Sequence, residues 1–284
     1  MEKKNLFLGI IIVLVFLNVL AWNAVLKDFQ ENVLKVSFFD VGQGDAIFVE
    51  TLKGHQILID GGPDLSVLEK LSSAMPFYDR TLDLIILTHP ESDHMAGLIE
   101  VLKRYEVDYV LWTGVIRDTQ EFSEWQKVLQ EEGAEIKIAK SGQKITASNA
   151  IFDILNPKES LAGKELKNSN NTSIVAKLCF IEKCFLLTGD IYKSKEIELA
   201  KENNNLESDV LKVAHHGSKT STAEEFVQKV SPEIAVIQVG ENSYGHPHSE
   251  TLETLEKYDI NILRTDEKGD IKIISNGYNI QLNY

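Results

Sequence analysis

The sequence predicts an α/β protein in which two β-sheets carry helices on their outer faces. Three observations predict it. Short runs that are apolar nearly throughout, such as TLDLIILTHP at 81–90, read as strands buried on both faces. Segments with helical spacing, such as HMAGLIEVLKRY at 94–105, punctuate the strand-rich blocks in both halves of the chain. No proline- or glycine-rich linker divides the chain after Asn32, so 33–284 reads as one domain, long enough for a sizeable core.

The elements follow in order. VLKVSFFDV alternates as a strand, and HQILIDGG is a second strand ending in a glycine turn. After the strand at 81–90 and the helix at 94–105, VDYVLWTG returns to strand. DTQEFSEWQKVLQEEG is helical, with Gly133 as its stop. EIKIAK, ITASNAIFDIL, TSIVAKLCF and CFLLTGD form a strand-rich middle. IYKSKEIELAKENN is helical, SDVLKVAHHGS runs from strand into loop, and STAEEFVQKVSP is helical again. EIAVIQVG is a strand, SETLETLEKY a helix, and NILRTD, DIKIISNG and YNIQLNY close the chain as strands.

Residues 1–27 are set apart. Lysines at positions 3 and 4 precede a run from Asn5 to Leu26 without a charge, long enough to cross the roughly 30 Å hydrocarbon core of a bilayer. We expect a single transmembrane helix with its N-terminus in the cytoplasm and the domain on the extracytoplasmic side. The alternative is a cleaved secretory signal and a secreted protein, although AWNA at 21–24 is a poor cleavage site. A polar linker, KDFQEN, joins the segment to the domain. Two cysteines, Cys179 and Cys184, flank the hairpin turn FIEK. They read equally as a disulfide, which an exported domain permits, or as two small buried hydrophobes.

The formal net charge of −14 excludes a broad phosphate-binding surface, because non-specific nucleic-acid binding is driven by lysine and arginine. The chemistry instead gathers at strand ends. His89, Asp93, His94, Asp190, His215 and His216 each follow an apolar strand pattern, in loops of the kind that carry catalytic groups. Imidazole and carboxylate together suit zinc, manganese or iron. In DVGQGDA, Asp40, Gln43 and Asp45 are placed at the site rim, or the glycines simply make a tight turn.

LTHPESDHMAGL resembles the H-x-H-x-D-H signature of the metallo-β-lactamase fold, with ILIDGG before it and LLTGD and HHGS after it. FFDVGQGDAIFVE, NNTSIVAKL, LKVAHHGSKTST and NSYGHPHSETLETL together resemble the C-terminal hydrolase domain of the ComEC competence proteins, from about Leu34 to the end and in the same order. The resemblance implies a four-layer αββα sandwich and a metal-dependent hydrolase. It implies that His89 belongs to a first metal site, and Asp93 and His94 to a second. Asp190 would bridge them and His215 or His216 would complete the centre. Asp60 would brace the metal loop. Glu91 stands where the lactamases have a second histidine and is carried as an oxygen ligand for a hard cation. Asn170 or Asn171 stands in the region of a further missing histidine, with Asn171 taken as a substrate contact. The cofactor expectation is one or two divalent ions, Zn or Mn, one held firmly and a second arriving with substrate.

The implied mechanism is attack of a metal-activated water on phosphorus or a carbonyl carbon. Asp93 orients the water and accepts its proton, Lys219 and Ser218 bind a non-bridging oxygen, and His246 protonates the leaving group. Asn242, Tyr244 and His248 also face substrate, or the whole NSYGHPH stretch is a turn held by Gly245 and Pro247. The leading expectation is an anchored phosphodiesterase or nuclease acting on single-stranded DNA or nucleotides outside the membrane, working alone or beside a separate DNA-uptake channel protein. The alternatives are a cell-surface esterase, for phosphocholine or a similar head group, and a non-catalytic anchored binding module.

Overall fold

The structure, a computed structural model, describes residues 2–29, 32–166, 168–202 and 205–284. The chain divides into two compact units, Met1–Val33 and Leu34–Tyr284. The first is a helix, α1 (Glu2–Phe29). Side-chain surroundings are described for its residues 7–22, where apolar groups such as Phe7, Ile12 and Phe16 are exposed. Among the described residues no helix is long and apolar enough to cross a membrane. Gln30 and Glu31 of the expected linker, and Asn203 and Asn204 at the end of an expected helix, lie outside the described residues.

The second unit begins with β1 (Leu34–Phe38), β2 (Ile47–Glu50), β3 (Gln56–Ile59) and α2 (Ser66–Ala74). It continues through β4 (Thr81–Leu87), α3 (Ser92–Leu102), β5 (Glu106–Trp112), α4 (Gln120–Glu132) and β6 (Glu135–Ile138). The middle is β7 (Lys144–Ala147), β8 (Ala150–Asn156), β9 (Val175–Phe180) and β10 (Lys183–Leu187). Then come α5 (Lys193–Lys201), β11 (Val210–Lys212), α6 (Glu224–Val230) and β12 (Ile234–Ile237). The chain closes with α7 (Ser249–Glu256), β13 (Asn261–Arg264), α8 (Thr265–Lys268), β14 (Ile271–Ser275) and β15 (Ile280–Asn283).

Two sheets result, with strand orders β15-β14-β1-β2-β3-β4-β5-β6 and β13-β12-β11-β10-β9-β8-β7. β3 to β6 are parallel, as are β10 to β13. The apolar run of β4 has the predicted cause. Leu84 and Ile86 enter the core between the sheets with Val36, Phe152 and Leu178. Ile85 and Leu87 enter a second core beneath α3 and α4. Leu186 and Leu211 of the other sheet are covered by Leu199 and Phe226, and Ala235 and Ile237 by Val227 and Leu255. This is the expected αββα sandwich. Each leucine or isoleucine so enclosed stabilises the fold by about 1.5–3 kcal/mol over its exposed state.

Local chemistry sets the helix ends. Thr119 caps α4 by accepting from the Phe122 amide, and Gly133 ends it at φ 79°. The segment ITASNAIFDIL folds as two strands, β7 and β8, turning at Ser148 with φ 58°. Cys179 and Cys184 are cross-strand partners in the β9–β10 hairpin and are bonded. One backbone contact positions the site. A Cβ on Gly97 of α3 would stand 1.9 Å from the Gly61 carbonyl oxygen, and one on Gly61 would stand 2.5 Å from the Leu98 nitrogen. Only glycine at both positions lets α3 sit directly on the turn after β3. The Gly61 amide donates to the His94 carbonyl at 2.8 Å and the Gly97 amide to the Gly62 carbonyl at 3.0 Å.

Candidate metal centre

The parallel strands β3, β4, β10 and β11 end at the same edge of the sandwich and deliver Asp60, His89, Asp190 and the His215–His216 pair. Asp60 follows β3 at φ 57°. Its Oδ2 accepts from His94 Nδ1 at 2.8 Å and from Thr88 Oγ1 at 2.7 Å, and its Oδ1 accepts from the Thr88 amide at 2.8 Å. With Nδ1 committed, His94 presents Nε2 to Asp190 Oδ2 at 3.3 Å. His216 is held in the same way. Its Nδ1 donates to the Gln238 carbonyl at 3.0 Å, and its Nε2 lies 3.2 Å from Asp93 Oδ2 and 3.4 Å from Asp190 Oδ2. His215 and His216 have positive φ, 52° and 53°, so the strand end turns sharply and sends the two rings apart.

One atom from each of Asp93, His94, Asp190 and His216 therefore falls within 4.8 Å of the others. Two carboxylates and two imidazoles, each imidazole oriented through its second nitrogen, form a donor set for a divalent ion. The buried atoms His89 Nε2, His94 Nε2 and Asp190 Oδ1 make no hydrogen bond among the described residues. Leaving such atoms unsatisfied costs about 1–3 kcal/mol each, so their convergence fits a bound cation. His89 stands beside the group, its ring 4.3 Å from that of His94.

The electrostatics agree. Burial disfavours charge on His94, but Asp190, Asp60 and Asp93 overcome it and hold its pKa well above the ordinary value. His216 is likewise buried, and Asp190 and Asp45 push it up to about 10. Without a metal these rings carry the protons that an ion displaces. Burial and the charge of His94 press His89 down to about 3, leaving it neutral and able to ligate. Burial opposes ionisation of Asp190, yet His216, His94 and Lys212 keep it well below the carboxylate range.

The centre opens on a cleft of about 350 Å³. Gln43, His89, Glu91, Asp93, Asp190, His215, His216 and His246 line it. Among the described residues that line it, Arg117 is the only lysine or arginine. Other expectations meet a different arrangement. Glu91 is not in the ligand group, because Arg117 Nη1 and Nη2 hold its carboxylate at 3.0 and 3.2 Å and Ser169 donates to it. Asp45 is not at the rim. It lies 1% exposed beneath the centre, ion-paired to the fully buried Lys212, whose Nζ is also 3.6 Å from Asp190 Oδ1. Asp40 shapes its own turn, its Oδ1 accepting from the Gly42 amide. Asn171 accepts from the Tyr192 amide, while Asn170 faces His215 Nε2 at 3.4 Å.

Ser218 is buried against Thr220, and Lys219 is exposed outside the cleft lining. His248 caps α7 through the Glu250 amide, and Asn242 braces its own loop. His246 faces the cleft, but burial and the charges of His215 and His216 press its pKa to about 4. At neutral pH it is uncharged, which does not suit the expected role of protonating a leaving group. Sequence reasoning missed Lys212 and Arg117. A lysine inside the apolar strand VLKVA signals a buried ion pair, whereas nothing near Arg117 announces its role.

The metallo-β-lactamase superfamily profile matches residues 39–241. The chain is 35% identical over 264 residues to ComE operon protein 3 of Bacillus subtilis, an alignment covering 84% of this chain and 32% of that protein. It is 30% identical over 248 residues to competence protein ComA of Neisseria gonorrhoeae, covering 85% and 32%. The chain thus spans about a third of the length of these relatives. Among solved structures, a metallo-β-lactamase fold protein of Bacillus subtilis, YhfI, superposes with a TM-score of 0.59 at 13% identity, covering 86% of this chain and 99% of that one. A metallo hydrolase of Ignicoccus hospitalis, Igni18, does so at 0.56 and 17%, covering 84% and 98%. At these identities the likeness concerns the fold.

Proposed function

We propose that this chain, which belongs to the metallo-β-lactamase superfamily, is a metal-dependent hydrolase whose substrates are phosphodiesters of nucleic acid. One observation carries the hydrolase reading: Asp93, His94, Asp190 and His216 converge at the floor of an open cleft. A divalent ion held there supplies Lewis-acid activation of water and of the scissile group's oxygens. Asp93, whose carboxylate is partly open to the cleft, orients the attacking water and accepts its proton. Asp190 and His94 hold the donor set in place, and Asp60 fixes the His94 ring. Arg117 places a guanidinium in the cleft wall, its charge offset by the Glu91 carboxylate that holds it, so the bound cation would be the main attraction for an anionic substrate. The competence relatives support nucleic acid as the source of that anion.

The apolar sequence of α1 supports a further part of the proposal, that this helix anchors the domain on the extracytoplasmic side of a membrane. Protease digestion of intact cells tests it: protection of the domain would place it inside and sink this part.

The deciding experiment strips the full chain of metal, reloads it separately with Mn and Zn, and follows hydrolysis of a bis-aryl phosphodiester beside Asp190→Ala. Metal-dependent turnover lost in the variant supports the proposal. Tight metal binding with turnover confined to choline esters would replace it with the esterase reading, and absence of bound metal would leave a binding module.

A further inference from the structure

His215, His246 and Tyr244 line one side of the cleft and belong to a run of aromatic rings that starts behind it at Tyr192. The Tyr192 centroid lies 5.4 Å from that of His215, His215 lies 5.6 Å from His246, and His246 lies 5.7 Å from Tyr244 at an interplanar angle of 29°. Tyr244 ends the run at the cleft mouth, 73% exposed. Its loop is nevertheless pinned. The Asn242 side chain donates to the Gly240 and His246 carbonyls at 2.8 and 2.9 Å and accepts from the Tyr244 and His246 amides at 3.1 and 3.0 Å. On its far side the loop packs against the histidine turn, where a Cβ on Gly217 would stand 2.8 Å from Pro247 Cβ. A large ring is thus held out in water on a braced loop, one face resting on His246 and the other open.

An exposed ring fixed in this way is suited to stacking, since a flat partner covers its open face with little ordering cost. The rest of the cleft offers a nucleic acid little else. Arg117 is the one lysine or arginine among the described lining residues, and the chain carries a net charge of −14. We propose that Tyr244, backed by His246, is the stacking platform for an unpaired base of the substrate, and that stacking on this wall, not a cationic track, selects nucleotide substrates. Bases in a duplex present no free face, so the platform favours single strands, ends and short nucleotides. This inference rests on the phosphodiesterase reading.

The test uses the metal-loaded full chain with two substrates: a short thymidine oligonucleotide, and the same sugar–phosphate backbone lacking bases. Wild type is expected to show the lower KM for the oligonucleotide. Tyr244→Ala raises that KM by about 5- to 100-fold, with a smaller change in kcat, and erases the preference. Tyr244→Phe keeps it, since the ring and not the hydroxyl stacks. Oligonucleotide affinity between 50 and 200 mM salt should follow a log–log slope no steeper than about −0.7, as for at most one phosphate contact on a single strand. Equal KM values for the two substrates in wild type, or equal losses in Tyr244→Ala and Tyr244→Phe, would overturn the inference while phosphodiester turnover stands. No turnover of either substrate by metal-loaded protein would overturn both readings.

Discussion

Replacing Lys212 by methionine removes a charge from beneath the metal centre while keeping most of the side chain's volume. Lys212 is fully buried, pairs with Asp45, lies 3.6 Å from Asp190 Oδ1 and donates to the Gly189 carbonyl at 3.2 Å. In the variant Asp45 keeps only His216, at 3.3 Å, and the more distant His94, at 3.8 Å, as charged partners. Removing one partner of a buried pair destabilises by about 3–5 kcal/mol, because the remaining charge stays out of water. For a domain of this size that lowers Tm by roughly 6–20 °C. A divalent ion on Asp190 and Asp93 brings two charges nearby but displaces the protons of His94 and His216, so the loss should be similar when metal is saturating. Asp45→Asn combined with Lys212→Met leaves no stranded carboxylate at that pair and should cost less than Lys212→Met alone. Scanning calorimetry of the three proteins, with and without Zn or Mn, reads all of this. If the double variant is less stable than Lys212→Met alone, the reasoning is refuted.

Two further predictions concern other residues. Glu196 in α5 is 1% exposed and accepts from the Thr222 and Ala223 amides at 2.9 and 2.6 Å, and burial pushes its pKa up to about 7. A carboxyl whose folded pKa lies above its unfolded value of 4.5 contributes stability that is complete below pH 4.5 and lost as pH rises through 7. Glu196→Gln should therefore flatten the fall in stability between pH 5 and 8 by roughly 3 kcal/mol; urea titrations giving parallel curves for the two proteins would count against it. Asp60→Ala releases the His94 ring, and chelator competition should find metal affinity about 10- to 100-fold weaker. An affinity within twofold of wild type would remove Asp60 from that role.

Much of the fold was legible because burial on both faces leaves a mark in composition. β4 shows it most clearly, its leucines and isoleucines dividing between two cores. β2 and α2 did not stand out. β2 emerges from the glycine-rich DVGQGDA turn, and α2 buries only Val67 and Leu71, too few anchors for a visible period. The ring of ligands was legible because each follows an apolar run, and runs in parallel sheets end at one edge. The partner of each polar group was not. Glu91 resembles a ligand until Arg117, 26 positions away, engages it. Asp45 resembles a rim residue until Lys212 meets it from the opposite sheet. The choice between His215 and His216 turns on two positive φ angles, which local sequence does not display.

The glycine-to-glycine contact between the turn after β3 and the first turns of α3 bears on how an ion enters. With Gly61 and Gly97 in direct backbone contact, the helix bearing Asp93 and His94 has reached its final depth once the domain is folded. No chain segment then has to close around an arriving cation. An ion bound there would displace the protons of His94 and His216, so affinity should rise with pH while the backbone stays still.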